Sequence, residues 1–194
     1  MTVEKRKVLV VVDMQVDFVT GTLGSKEAQA IVPQVKRKIE EFKGSNPTGM
    51  LLFTKDTHGE NYLMTQEGRN LPVKHCIKGS EGWNLIPELR DYSLSDNTNE
   101  TSVDGYIYEK RTFGSLELAG DIATMQSHLA SVELIGVCTD ICVISNALLI
   151  KASCPELPIT VDKSCCAGVT PIKHNAALET MRSCQIQITG DEIK

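Results

Sequence analysis

The sequence has no Cys-x-x-Cys pair, although it contains seven cysteines. That absence argues against thioredoxin-type redox chemistry and against a zinc ribbon. It also lacks any apolar run near the ~20 residues that a membrane-spanning helix requires. One of the longest, Val8 to Val12, is cut short by Asp13, and no small-residue cleavage site follows the basic start. The expectation is therefore a first strand rather than a secretion signal, in a cytoplasmic protein. No Gly-x-Gly-x-x-Gly follows that strand, which speaks against an organic dinucleotide cofactor. Repeats, linkers and low-complexity segments are missing too, so residues 1–194 are expected to form one domain. Positive charge is in deficit, with 20 Lys+Arg against 25 Asp+Glu and a net charge of −5. Neither nucleic acid nor an anionic membrane is expected as a partner. An odd cysteine count without an export signal favours free thiols in a reducing compartment.

What is present reads as an ordinary globular chain, 41% hydrophobic and 23% charged over 194 residues. β-branched apolar runs alternate with helical spacings. Strands are expected at Lys7–Asp13, Thr48–Thr54, Ile107–Lys110, Ser131–Gly136, Leu157–Asp162 and Cys184–Thr189. Helices are expected at Gln29–Phe42, Glu117–Leu129, Cys142–Ser153 and Pro171–Ser183, the last with proline in its first turn. Six strands joined mostly by helical crossovers predict a three-layer, doubly wound α/β fold with a six-stranded parallel sheet. A polar stretch from Lys55 to about Gly82 is too long for a simple connection, and such loops are usually functional.

Ligands bind beyond the carboxyl ends of such strands. Asp13, Asp56 and His58, Lys110, Cys138 with Asp140 and Cys142, and Asp162 with Lys163 all fall there on this scheme. Cys138 and Cys142 stand four apart. They could be metal ligands, a disulfide, packing residues, or a nucleophile and its neighbour. Two thiols with no second pair make a poor zinc site. Cys142 falls where a turn becomes a helix, and the positive end of a helix dipole lowers a thiol pKa. The nucleophile reading is thus stronger than the metal reading, while a buried packing role stays open. No histidine lies at the ends of strands one, three or four, so Asp13 is the available base and Lys110 the available counter-charge.

Three stretches together, Val11–Phe18 (VVDMQVDF), Lys110–Ser115 (KRTFGS) and Gly136–Val143 (GVCTDICV), resemble the isochorismatase-like cysteine hydrolases over nearly the whole chain. The resemblance implies a catalytic triad of Asp13, Lys110 and Cys142. It also implies a cis peptide between Val137 and Cys138, and an oxyanion hole made by the backbone N–H groups of Cys138 and Cys142. Members that cleave isochorismate lack the cysteine, so amide hydrolysis is the expected chemistry. Members that deamidate nicotinamide carry a metal site, which Asp56, His58 and His75 resemble. Glu67 ranks ahead of Glu60 as a fourth ligand. Nitrogen and oxygen donors suit zinc first, with iron or manganese as alternatives. Phe18 and Trp83 are candidates to sandwich the substrate ring, whereas His128 and His174 lie on expected helices and are read as uninvolved. The expectation is a nicotinamidase acting on a small amide, forming a dimer or tetramer as relatives do. Competing expectations are a metal-free amidase on another carboxamide or N-carbamoyl compound, a silent binding protein, and a redox protein.

Overall fold

The structure is a computed structural model that describes residues 5–93 and 104–190. Both ends of the expected domain, 1–4 and 191–194, lie outside the described residues. Six parallel strands form one sheet in the order β3-β2-β1-β4-β5-β6. They are β1 (Arg6–Val12), β2 (Met50–Asp56), β3 (Tyr106–Lys110), β4 (Leu129–Val137), β5 (Ile159–Ala167) and β6 (Gln187–Thr189). All seven residues of β2 are buried, the pattern of a strand covered on both faces.

Helices α1 (Val16–Val19), α2 (Lys26–Ser45), α3 (Gln66–Asn70), α4 (Leu116–Met125), α5 (Ile144–Ser153) and α6 (Pro171–Ser183) complete the order. On one face, Val8, Val10 and Val12 pack with Leu118 and Ile122 of α4, Ala147 and Ile150 of α5, and Leu178 and Met181 of α6. On the other, Leu9 and Val11 meet Ile31, Val35 and Ile39 of α2. Alternate residues of β1 thus serve two cores, as the strand pleat requires. Helix α2 starts at Lys26, ahead of the expected Gln29, because the Ser25 side chain caps it by accepting from the Ala28 N–H at 3.0 Å. The helix expected to reach Leu129 stops at Met125, and Leu129 already pairs in β4. No helix among the described residues is long and apolar enough to cross a membrane.

One expectation needs correction. Asp162 and Lys163 do not end β5. After a register shift between Leu134 and Gly136, Cys166 and Ala167 still pair with Gly136 and Val137, so the strand runs on past both residues. Asp162 instead faces Lys38 of α2 at 2.8 Å, and Lys38 also meets Glu133 at 2.9 Å. Burial opposes ionisation of Asp162, but hydrogen bonds from Lys38 and Ser164 outweigh it and hold the carboxyl below its usual range. A depressed folded pKa adds stability above the unfolded value and loses it as pH falls through the folded one. Lys38→Met should therefore cost about 1 kcal/mol at neutral pH, with the difference from wild type shrinking below about pH 4. Urea midpoints measured against pH check this.

Gly136 sits at φ +116 in β4, and a Cβ there would lie 2.1 Å from the Val12 carbonyl oxygen. Gly136→Ala should destabilise by about 3 kcal/mol or more, read as a lower urea midpoint.

Candidate active site

Three strand ends converge on one buried cluster. Asp13 follows β1, Lys110 closes β3, and Cys142 lies in the turn after β4. Lys110 Nζ stands 2.6 Å from Asp13 Oδ2 and donates to Cys142 Sγ at 3.5 Å. Thr54, on β2, donates its hydroxyl to Asp13 Oδ1 at 2.6 Å. Asp13 adopts φ 47, a left-handed conformation that aspartate tolerates better than most residues. Burial pushes the Asp13 carboxyl up, against the pull of Lys110. Burial also disfavours the charged Lys110, but Asp13, Cys142 and Asp56 raise its pKa on balance. Burial and then the Asp13 charge push the Cys142 thiol far up, and Lys110 offsets only part of this. The lowered thiol pKa expected from a helix N-terminus is therefore not what the structure holds. Burial and the neighbouring carboxylates thus favour the thiol form of Cys142 beside an Asp13–Lys110 ion pair.

The turn itself is anchored on several sides. The Val137–Cys138 peptide is cis. A single π-helical turn, Thr139–Val143, leads into α5, and the Cys138 carbonyl accepts from Ile141 N–H at 3.1 Å and Val143 N–H at 3.0 Å. Cys142 thus lies in the opening turn of the helical segment, between two residues whose N–H groups are held by the Cys138 carbonyl. Asn146 donates to the Cys142 carbonyl at 2.8 Å and accepts from the Ser115 N–H at 2.9 Å. Asp140 Oδ1 accepts from Val169 N–H at 2.9 Å, and Thr139 Oγ1 lies 2.8 Å from His174 Nδ1. His174 thus braces the turn from α6, whereas His128 is exposed in the turn before β4.

Beside the thiol cluster, ligand atoms of Asp56, His58, Glu67 and His75 lie within 4.8 Å of one another. His58 Nε2 is buried, 2.9 Å from Asp56 Oδ2, yet has no hydrogen-bond partner. His75 Nδ1 lies 2.8 Å from the Val73 carbonyl. In the neutral ring that nitrogen donates, which leaves the Nε2 lone pair facing Asp56 at 3.5 Å and Glu67 at 3.7 Å. Burial and then the Asp56 charge raise the Glu67 carboxyl. An orphaned imidazole nitrogen among crowded carboxylates fits a divalent cation. Glu60 is exposed and pairs with Lys74 at 3.3 Å, away from this cluster.

Gln15 and Asp17 escaped the sequence reading although both sit in the quoted VVDMQVDF stretch. Gln15 is fully buried. Its side chain accepts from the Asp56 N–H at 2.7 Å and donates to the Asp56 and Trp83 carbonyls at 2.9 and 2.8 Å. Asp17 Oδ2 accepts from the Cys76 N–H at 2.8 Å, which fixes the segment carrying His75. One motif thus supplies Asp13 to the thiol cluster and braces two members of the His–carboxylate cluster. Gln15→Ala should weaken cation affinity about 10–100-fold, measured by competition with a chelator.

A cavity of about 420 Å³ opens onto both clusters, lined by Cys138, Cys142, Asp56, Glu67, His75 and Phe18 among others. Trp83 does not line it. Its indole N–H donates to Thr57 at 2.8 Å, and Lys55 Nζ stands 3.0 Å from its ring centroid. The aromatic pair on the cavity is instead Phe18 and Phe113, the latter within the quoted KRTFGS stretch.

The Isochorismatase domain family model matches residues 7–192. The chain belongs to the isochorismatase family. No curated protein matches it in sequence. Among solved structures, this isochorismatase-family chain is similar to the pyrazinamidase of Pyrococcus horikoshii in complex with zinc. The two share 26% identity at a TM-score of 0.76, over 96% of this chain and 99% of that one. A pyrazinamidase/nicotinamidase from Streptococcus mutans shares 26% identity at a TM-score of 0.79, over 94% and 99%. N-carbamoylsarcosine amidase from Thermoplasma acidophilum shares 25% identity at 0.73, over 97% and 99%. The six-stranded parallel sheet with helices on both sides is the fold of these relatives.

Proposed function

We propose that this protein is an amide hydrolase of the nicotinamidase type, converting nicotinamide to nicotinate and ammonia as a step of NAD salvage. The observation that carries it is one cavity bordered by both the thiol cluster and the His–carboxylate cluster. A cysteine amidase needs the first. A site for a pyridine carboxamide gains its orienting group from the second. Likeness to a zinc-bound pyrazinamidase supports the same assignment.

In this mechanism Asp13 removes the Cys142 proton as sulfur attacks the carboxamide carbon. The starting positions suit the transfer, since Lys110 touches both groups and stabilises the negative charge whichever of them carries it. The developing oxyanion is held by the N–H groups of Cys138 and Cys142. Asp13 then returns its proton to the departing nitrogen, and ammonia leaves a thioester on Cys142. Water, deprotonated by Asp13, cleaves that thioester, and the released sulfur takes the proton back. Asp56, His58, Glu67 and His75 would hold a divalent cation, zinc first on its donor set, with iron or manganese as alternatives. When bound, that cation supplies a Lewis-acidic position for the ring nitrogen and so orients the carboxamide. Phe18 and Phe113 would flank the ring.

Ammonia release from nicotinamide, pyrazinamide and N-carbamoylsarcosine tests the assignment. The two aromatic amides should exceed the carbamoyl compound in kcat/KM by about 100-fold or more. The reverse order would favour the second reading, an N-carbamoyl amidase, which the likeness to N-carbamoylsarcosine amidase supports.

A further inference from the structure

Unused space lies on the side of the thiol away from the His–carboxylate cluster. Asp56 closes β2 and Cys142 follows β4, with β1 between them. Lys110 Nζ reaches both Asp56 Oδ1 and Cys142 Sγ at 3.5 Å, so their side chains stand close together, and one small aromatic amide fills the space beside them. The cavity continues past it. Beyond β4 comes β5, and its end and the following loop supply Ala167, Gly168 and Val169 to the cavity wall. Leu23 and Ala28, before and within the first turn of α2, line the same cavity. The volume of about 420 Å³ lies in the range of pockets that take drug-sized ligands. Nicotinamide has only nine non-hydrogen atoms.

The directions around the reacting carbon indicate what this space can take. In the proposed pose the ring points to the His–carboxylate cluster, the oxygen points to the N–H groups of the turn, and sulfur approaches the carbonyl face. The leaving nitrogen presents its lone pair to Asp13 and can carry a substituent away from it, toward the β5 end of the cavity. We propose that the site also hydrolyses secondary aryl carboxamides, with a small apolar group on the leaving nitrogen seated between Ala28 and Val169. This rests on the nicotinamidase reading and extends its substrate class. The chemistry is unchanged in form. The C–N bond breaks as the C–S bond forms, and the proton on Asp13 passes to the nitrogen, which departs as a primary amine. Water then converts the thioester to the carboxylate. Each methylene buried against Leu23, Ala28, Ile141 and Val169 should tighten binding about fourfold.

N-propylnicotinamide beside nicotinamide tests this on cation-loaded protein, with nicotinate formation read by chromatography. The expected kcat/KM for the propyl amide lies within about 10-fold of that for nicotinamide. Val169, on a half-exposed loop, tolerates a larger side chain. Val169→Trp should shift the ratio of the two kcat/KM values against the propyl amide by about 50-fold. Binding reads the same space without turnover: N-propylnicotinamide should bind Cys142→Ala protein more tightly than nicotinamide does, and adding Val169→Trp should remove that advantage. Turnover of nicotinamide with neither binding nor hydrolysis of the propyl amide would overturn the inference and leave the nicotinamidase reading intact. Failure to bind or hydrolyse either amide would overturn both.

Discussion

Cys142→Ala is expected to lower kcat/KM for nicotinamide by about 10⁴-fold or more, while the unfolding midpoint moves by about 1 kcal/mol or less. The asymmetry follows from size and place. A cysteine-to-alanine change removes one atom from a site that already borders a cavity, so little packing is lost. The covalent route is lost entirely, and only binding and the oxyanion N–H groups remain. Asp13→Asn keeps the shape but removes the base, and should cost about 10²–10⁴-fold. The double variant should be no worse than Cys142→Ala alone, because groups acting as one unit are not additive. Lys110→Met is a different case. It strands a fully buried Asp13 charge, and should destabilise the fold by about 3–5 kcal/mol as well as stop turnover. Paired kinetic and urea measurements on the four variants separate these effects.

Removing the cation should abolish nicotinamide turnover without unfolding the protein. His58→Ala should do the same and should lose cation binding along with it. His58 offers the clearest test because its Nε2 is buried between the carboxylates of Asp56 at 2.9 Å and Glu67 at 3.6 Å without completing a hydrogen bond, a placement that suits a shared cation. Added zinc should raise the unfolding midpoint of wild type, by about 2.7 kcal/mol at 100 times its Kd, and leave that of His58→Ala unmoved. Iodoacetamide should still modify Cys142 in the cation-free protein, because Lys110 contacts both the thiol and Asp13 directly. Full nicotinamide turnover in His58→Ala would instead point to a cation-independent amidase.

The fold was legible because β1 and β2 carry apolar runs buried on both faces, and α2 repeats Ile31, Val35 and Ile39 at helical spacing. The convergence of Asp13, Lys110 and Cys142 was legible because each closes or follows a strand within a quoted motif. Other features were hidden, each for a physical reason. Pairing past the Gly136 irregularity lengthens β5, and Asp162 carries no mark of that in sequence. Trp83 is committed by partners from β2 and the loop after it, Lys55 and Thr57, which no local pattern announces. His174 meets Thr139 across 35 positions of sequence, so helical periodicity alone could only place it on a helix. The thiol pKa was misjudged because local helix position is visible in sequence while complete burial is not.

The most direct measurement is acid-quenched mass analysis of the protein during nicotinamide turnover. A nicotinoyl adduct on the peptide carrying Cys142, formed during turnover and gone when substrate is exhausted, is the predicted result. Turnover with no adduct, or an adduct on Cys138 instead, would contradict the assignment of Cys142 as nucleophile.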